Sequence, residues 1–112
     1  MKVSIITLTS NSIKTIKKTI NSIYNQDYKN IQKIWIDNCS NDGTFEYLKS
    51  KKDKQTILIS EKDQGIFYAF NKGIKFANGN IVGFLHSDDS FCKRNVISNI
   101  VKKFKDNNVN FT

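Results

Sequence analysis

The stretch IVGFLHSDDS, Ile81 to Ser90, decides how this chain is read. Apolar, strand-forming residues run as far as Leu85, stop at His86 and Ser87, and are followed at once by two adjacent carboxylates, Asp88 and Asp89. A short apolar run with a polar stop reads as a buried strand. A strand that delivers two negative charges to its tip asks for a partner, because neighbouring carboxylates repel one another unless a cation or donor groups meet them. Taken alone, the pair fits two uses equally: a helix start, where a carboxylate caps free amides, or oxygen ligands for a hard divalent ion.

The rest of the chain supplies the frame around that tip. Val3 to Leu8 is another apolar run, turning polar at TSNS. Ile13, Ile16, Ile20 and Ile23 then recur at helical spacing with Lys14, Lys17 and Lys18 between them, which predicts an amphipathic helix capped near Asn11 or Ser12. IQKIWID is a second strand, NCSNDGT a turn cluster, and Phe45 and Leu48 begin a second helix. TILIS is a third strand. Ile66, Phe70, Ile74 and Ala77 line the expected core face of a third helix, with Gly79 as its expected C-cap. After the IVGFLH strand, Val96, Ile97, Ile100, Val101 and Phe104 make the stripe of a fourth helix.

Strands alternating with helices build a parallel sheet covered on both faces, since each parallel pair needs a right-handed crossover. The expected fold is therefore α/β, a Rossmann-like three-layer α/β/α arrangement with a mostly parallel sheet. Ligands of such sheets bind beyond the carboxyl ends of the strands, where strand order reverses. The tips carry Thr7 and Thr9, Asp37 and Asn38, Glu61 and Asp63, and Ser87, Asp88 and Asp89. Mg²⁺ is often held by one or two protein carboxylates while a substrate diphosphate supplies the remaining oxygens. No GxGxxG follows the first strand, so a dinucleotide cofactor is not expected. Trp35, inside an apolar strand, is assigned to the core rather than to a sugar-stacking platform; Phe67 and Tyr68 are better placed for ligand contact.

Composition narrows the classes. At 112 residues the chain fits one domain, and 38% hydrophobic residues are enough for a core. The net charge of +8 invites a nucleic-acid partner. The basic residues are lysines apart from Arg94, scattered along the chain at positions suited to solvated helix faces, which argues against it. A Lys-rich surface also suits peripheral association with an anionic membrane. Cys39 and Cys92 lack zinc-site spacing, and no stretch has the apolar length of a signal peptide or membrane span. The expected location is the cytoplasm, up to the inner face of the membrane.

In VSIITLTSN, IDNCSNDGT, SEKDQGIFYAFNKGI and ANGNIVGFLHSDD, and in the helix that follows, the chain resembles the family-2 glycosyltransferases of the GT-A fold, nucleotide-sugar enzymes of bacterial polysaccharide synthesis. The resemblance implies that Asp37 meets the nucleotide base, with Thr9 beside base and ribose and Thr7, Asn11 and Asn38 near them. It implies that Asp63, Gly65 and Asn71 flank the nucleotide, that Asp89 is the direct ligand of a divalent metal, Mn²⁺ or Mg²⁺, and that Asp88 lies near it and the ribose. His86 stands where relatives carry an acid or Asn, and Asn38 replaces a frequent second acid. The implied donor is a nucleoside-diphosphate sugar, UDP-linked by preference, and the acceptor a saccharide or lipid-linked saccharide. The family's general base lies well past the acidic pair, so residues 1–112 are expected to be a donor-binding domain without the acceptor-binding half. Two other readings stay open: a non-catalytic nucleotide-binding or assembly module, able to dimerise through an unpaired sheet edge, and a basic nucleic-acid binder.

Overall fold

The computed structural model describes residues 1–62 and 64–106. Asp63, and the end of the KDNNVNFT segment read as the approach to a further strand, lie outside the described residues. The chain alternates β1 (Val3–Thr9), α1 (Ile13–Tyr24), β2 (Ile31–Asp37), α2 (Thr44–Lys51), β3 (Thr56–Ser60), α3 (Ile66–Phe76), β4 (Ile81–Phe84) and α4 (Val96–Asp106). The four strands form one all-parallel sheet in the order β3-β2-β1-β4.

That order explains the layering. From β1 to β3 the chain steps one way across the sheet, so right-handed crossovers place α1 and α2 on the same face. The step from β3 to β4 runs back past β2 and β1, which puts α3 on the other face. Two cores result. Ile16, Ile20 and Ile23 of α1, Leu48 of α2 and Ile97 and Val101 of α4 pack on Val3, Ile5, Ile31 and Trp35, while Ala69 of α3 packs on Ile6, Ile34 and Ile36. The three-layer arrangement is thus α1, α2 and α4 over the sheet with α3 beneath.

Two expectations for α3 are corrected. Ile66 and Ile74 are 54% and 51% exposed, and the buried positions of the helix are Ala69 and Gly73. Small residues win because the helix rides close to the sheet: a Cβ on Gly73 would stand 2.7 Å from Cγ2 of Ile6. Phe70 instead meets Phe84 of β4 edge to face, ring centroids 4.7 Å apart. Gly79 is not the cap either. Ala77 ends α3 in extended geometry, and Gly79 passes so near β1 that its Cβ would lie 2.7 Å from the Ser4 amide nitrogen.

Trp35 is wholly buried, as its setting implied. The N-terminus of α1 starts after Ser12, whose own side chain does not cap it. Asp42, from the β2–α2 loop, accepts from the Ile13 amide at 3.1 Å and from the amide and hydroxyl of Thr44, so one carboxylate fixes two helix starts.

Candidate functional site

At the carboxyl edge the tips of β1 and β2, the first turns of α3 and Ser87, past the end of β4, line a cavity of 250 Å³. Its walls include Thr9, Ser12, Asp37, Asn38, Tyr68 and Ser87, with Glu61 and Lys72 beside them. This is the point where strand order reverses, between β1 and β4, the expected ligand position in an open parallel sheet.

Asp37 anchors the floor. One carboxylate oxygen accepts from the Thr9 hydroxyl at 2.6 Å and the Ser40 hydroxyl at 2.5 Å; the other accepts from the Ser40 amide at 2.9 Å and the Ser60 hydroxyl at 3.0 Å. Its side chain is fully buried although it stands in the cavity wall. Four donors satisfy a charge that would otherwise be costly to bury. Three of them are hydroxyls able to turn, so a ligand donor can take a place at Asp37 without leaving the carboxylate unmet.

The neighbouring loops are cross-tied. Asn11 has φ 46° and Cys39 φ 44°, left-handed values that few residues other than glycine adopt. The Asn11 amide donates to the Ser40 hydroxyl at 2.8 Å, and its side-chain oxygen accepts from the Asn41 amide at 2.9 Å. Asn11 therefore joins the β1–α1 and β2–α2 loops rather than lining the cavity. Thr7 is wholly buried beneath Thr9, paired in register with Trp35; neither the Thr7 hydroxyl nor the Trp35 indole nitrogen has a protein partner. Gly65 precedes α3 at φ 114°, with open space where a side chain would be. Asn71 is exposed and lines a separate cleft with Lys75 and Phe76.

The acidic pair is placed by α1. Thr15 and Thr19 donate their hydroxyls to the Ser87 carbonyl at 2.8 and 3.0 Å, and Thr19 also reaches the Asp89 carbonyl at 2.5 Å. Farther along, Ser22 accepts from the Phe91 amide and Gln26 holds the Lys93 carbonyl and the Ile97 amide. Polar residues of α1, with Gln26 just past its end, thus lash the segment from Ser87 to Ile97 to the helix. The Ser12 hydroxyl meets that of Ser87 at 3.0 Å, tying the tips of β1 and β4 together. Both Asp88 and Asp89 are exposed. Sequence reading missed Thr15 and Thr19; the signal was there, since Thr15, Thr19 and Ser22 share a helix face among Ile and Lys, with Gln26 just past the end of the helix.

No group of three or more His, Cys, Asp or Glu side chains is placed to cage a metal among the described residues. Two exposed carboxylates suit a cation that takes most of its oxygens from a ligand. Across the cavity mouth the Lys72 ammonium pairs with Glu61 and lies 5.8 Å from the Tyr68 ring centre. Phe67 is 80% exposed and does not line the cavity, whereas Tyr68 does.

Residues 4–112 match the family described as Glycosyl transferase family 2. The glucosyltransferase WfaP of Escherichia coli, named for transfer from UDP-Glc to α-D-GlcNAc-diphosphoundecaprenol, is 39% identical over 88 residues, which are 78% of this chain and 35% of WfaP. WfgD of the same species, with the same named reaction, is 33% identical over 110 residues, 97% of this chain and 43% of WfgD. The chain thus spans well under half the length of these relatives. Among solved structures, TarS 1-349 of S. aureus in complex with UDP-GlcNAc superposes with a TM-score of 0.87 at 26% identity, covering 95% of this chain and 32% of that one. The mannosyltransferase PcManGT of Pyrobaculum calidifontis, in complex with GDP-Man and Mn²⁺, gives 0.80 at 27% identity, with 92% and 32% covered.

Proposed function

This chain belongs to glycosyl transferase family 2, with the GT-A fold, and we propose that residues 1–112 form the donor-binding domain of a glycosyltransferase that builds a bacterial surface polysaccharide. The observation that carries the reading is the convergence on one sheet edge of the Thr9–Asp37 pair and of Ser87, which heads the lashed acidic tip: all three line one cavity, and Asp88 and Asp89 follow Ser87 directly in the chain. The donor is a nucleoside-diphosphate sugar, with UDP favoured, as the relatives' named substrates support. The acceptor is a saccharide, lipid-linked in those two relatives.

Thr9, Asp37 and Asn38 take the base and ribose; Thr7 and Asn11 support them from beneath and beside. The exposed approach at Gly65 lets backbone come close to the ligand, and Asp63 and Asn71 keep the nucleotide-flanking role that the family resemblance implies. Lys72, already beside the cavity, offers a cation to the diphosphate once Glu61 releases it. Asp89 and Asp88 would hold Mn²⁺ or Mg²⁺. Such a cation, when bound, neutralises charge gathering on the departing diphosphate.

Displacement at the anomeric carbon by an acceptor hydroxyl, with inversion, needs a general base to take the hydroxyl proton. That base belongs to the acceptor-binding half. The chain is therefore expected to bind a UDP-sugar without transferring it. Incubation with UDP-glucose, a saccharide acceptor and Mn²⁺ should show binding and negligible release of UDP. Robust turnover by pure material would overturn the division of labour.

A further inference from the structure

Dispersed along the sequence, the lysines of α1, of α4 and of the segment before α4 are brought onto one face by the fold. Helices α1 and α4 cover one face of the sheet, and their outer sides are basic: Lys14, Lys17 and Lys18 with no acid on α1, and Lys102, Lys103 and Lys105 against Asp106 on α4. All six lysines are exposed. Between α1 and the lashed segment lies a cleft of 560 Å³ lined by Lys18, Lys93 and Arg94, by the polar side chains of Asn21 and Asn25, and by no acid. Its walls are fixed. Arg94 donates from Nε to the Asn25 carbonyl at 3.0 Å and accepts from the Asp27 amide at 2.8 Å, and the buried Gln26 holds the Lys93 carbonyl at 2.7 Å.

We propose that this α1–α4 face docks on an anionic lipid bilayer, with the Lys18–Lys93–Arg94 cleft seating a headgroup phosphate. Charge complementarity names the occupant. Lysines need no fixed geometry to be drawn to an anionic leaflet, and each one held there raises affinity about fivefold. Single-stranded nucleic acid would instead call for stacking aromatics interleaved with the charges, and duplex DNA for arginine forks. The exposed aromatics Phe67, Tyr68, Phe76 and Phe84 belong to α3 and β4, away from the lysine layer; Phe91, in the cleft wall, is partly buried against the core, and Arg94 is the chain's single arginine. Docking in this way leaves the carboxyl edge of the sheet open to a soluble ligand. It goes beyond the donor-site reading and requires no nucleotide, so either can fail alone.

The test is co-sedimentation of the 112-residue chain with vesicles of phosphatidylglycerol and phosphatidylcholine in equal parts, and of phosphatidylcholine alone, at low and physiological salt. Binding to the anionic vesicles only is expected, weakened by salt. The double variant Lys18→Glu with Lys93→Glu should lose about tenfold or more in partitioning. Lys62→Glu with Lys75→Glu, the same charge change placed away from that face, should lose less than about twofold. Circular dichroism confirms that each variant is folded. No binding to anionic vesicles, equal loss in both double variants, or tighter binding of a single-stranded oligonucleotide at the same salt would overturn the proposal.

Discussion

At the scale of single residues, the cavity floor depends on which hydroxyls have work to do. Thr9 bonds Asp37 and Thr19 bonds two carbonyls of the acidic tip, while the Thr7 hydroxyl, equally buried, meets no protein group. Thr7→Val keeps the shape that supports Thr9 from beneath, so it should leave UDP affinity unchanged and raise stability by up to about 1 kcal/mol, since it removes a buried polar group without a partner. Thr19→Val strands the Asp89 carbonyl, while Thr15 still meets that of Ser87, and should cost about 1 kcal/mol while weakening metal-dependent UDP binding severalfold. Urea melts and calorimetry on both variants separate these outcomes; equal behaviour would remove the positioning role of Thr19. Asp37, Thr9 and the acidic pair were legible in the sequence because a strand tip in an open parallel sheet announces its place. Thr15 and Thr19 were not, because apolar periodicity marks the core face of a helix and carries no information on which polar side chains reach a neighbouring segment.

At the scale of elements, strand runs and helix order could be read directly, down to the bounds of IQKIWID and TILIS. The orientation of α3 could not. Its largest apolar residues pointed to one face, yet close packing on Ile6 and Ile36 admits only Ala69 and Gly73. Periodicity ranks faces by hydrophobicity, whereas the distance between helix and sheet is set by the bulk already present on the strands. Gly73→Ala should therefore destabilise by about 1–3 kcal/mol, since the methyl group must displace the buried Ile6. Ile74→Lys, at a half-exposed site, should change stability by less than about 0.5 kcal/mol. A larger loss at Ile74 than at Gly73 in denaturant midpoints would reverse the assigned face.

At the scale of the whole molecule, two carboxylates outside the cavity wall tie loops to the frame. Hydrogen bonding by the Thr44 hydroxyl holds Asp42 below the usual carboxylate range despite some desolvation, with the Ile13 amide adding to it. Burial raises Asp53, but the Thr56 hydroxyl and Lys33, 3.1 Å away, outweigh it and leave it lowered. A depressed carboxylate contributes stability above its unfolded pKa and loses it as pH falls through the folded value. Stability should thus hold near neutrality and decline from about pH 4 downward. Asp42→Asn should flatten that decline when urea midpoints are followed against pH; an unchanged slope would dissociate the loop tie from acid sensitivity. The net charge was legible in the composition, but its concentration on the α1–α4 face was not, because it follows from strand order.

The central claim is that the acidic tip of IVGFLHSDDS and the Asp37 pocket form one metal-dependent donor site. Calorimetric titration of UDP, then GDP, into the chain with and without Mn²⁺, repeated on Asp89→Asn, tests it most directly. UDP should bind only in the presence of Mn²⁺, and Asp89→Asn should abolish that binding. Metal-independent binding unaffected by the substitution, or no binding of either nucleotide by the folded chain, would contradict it.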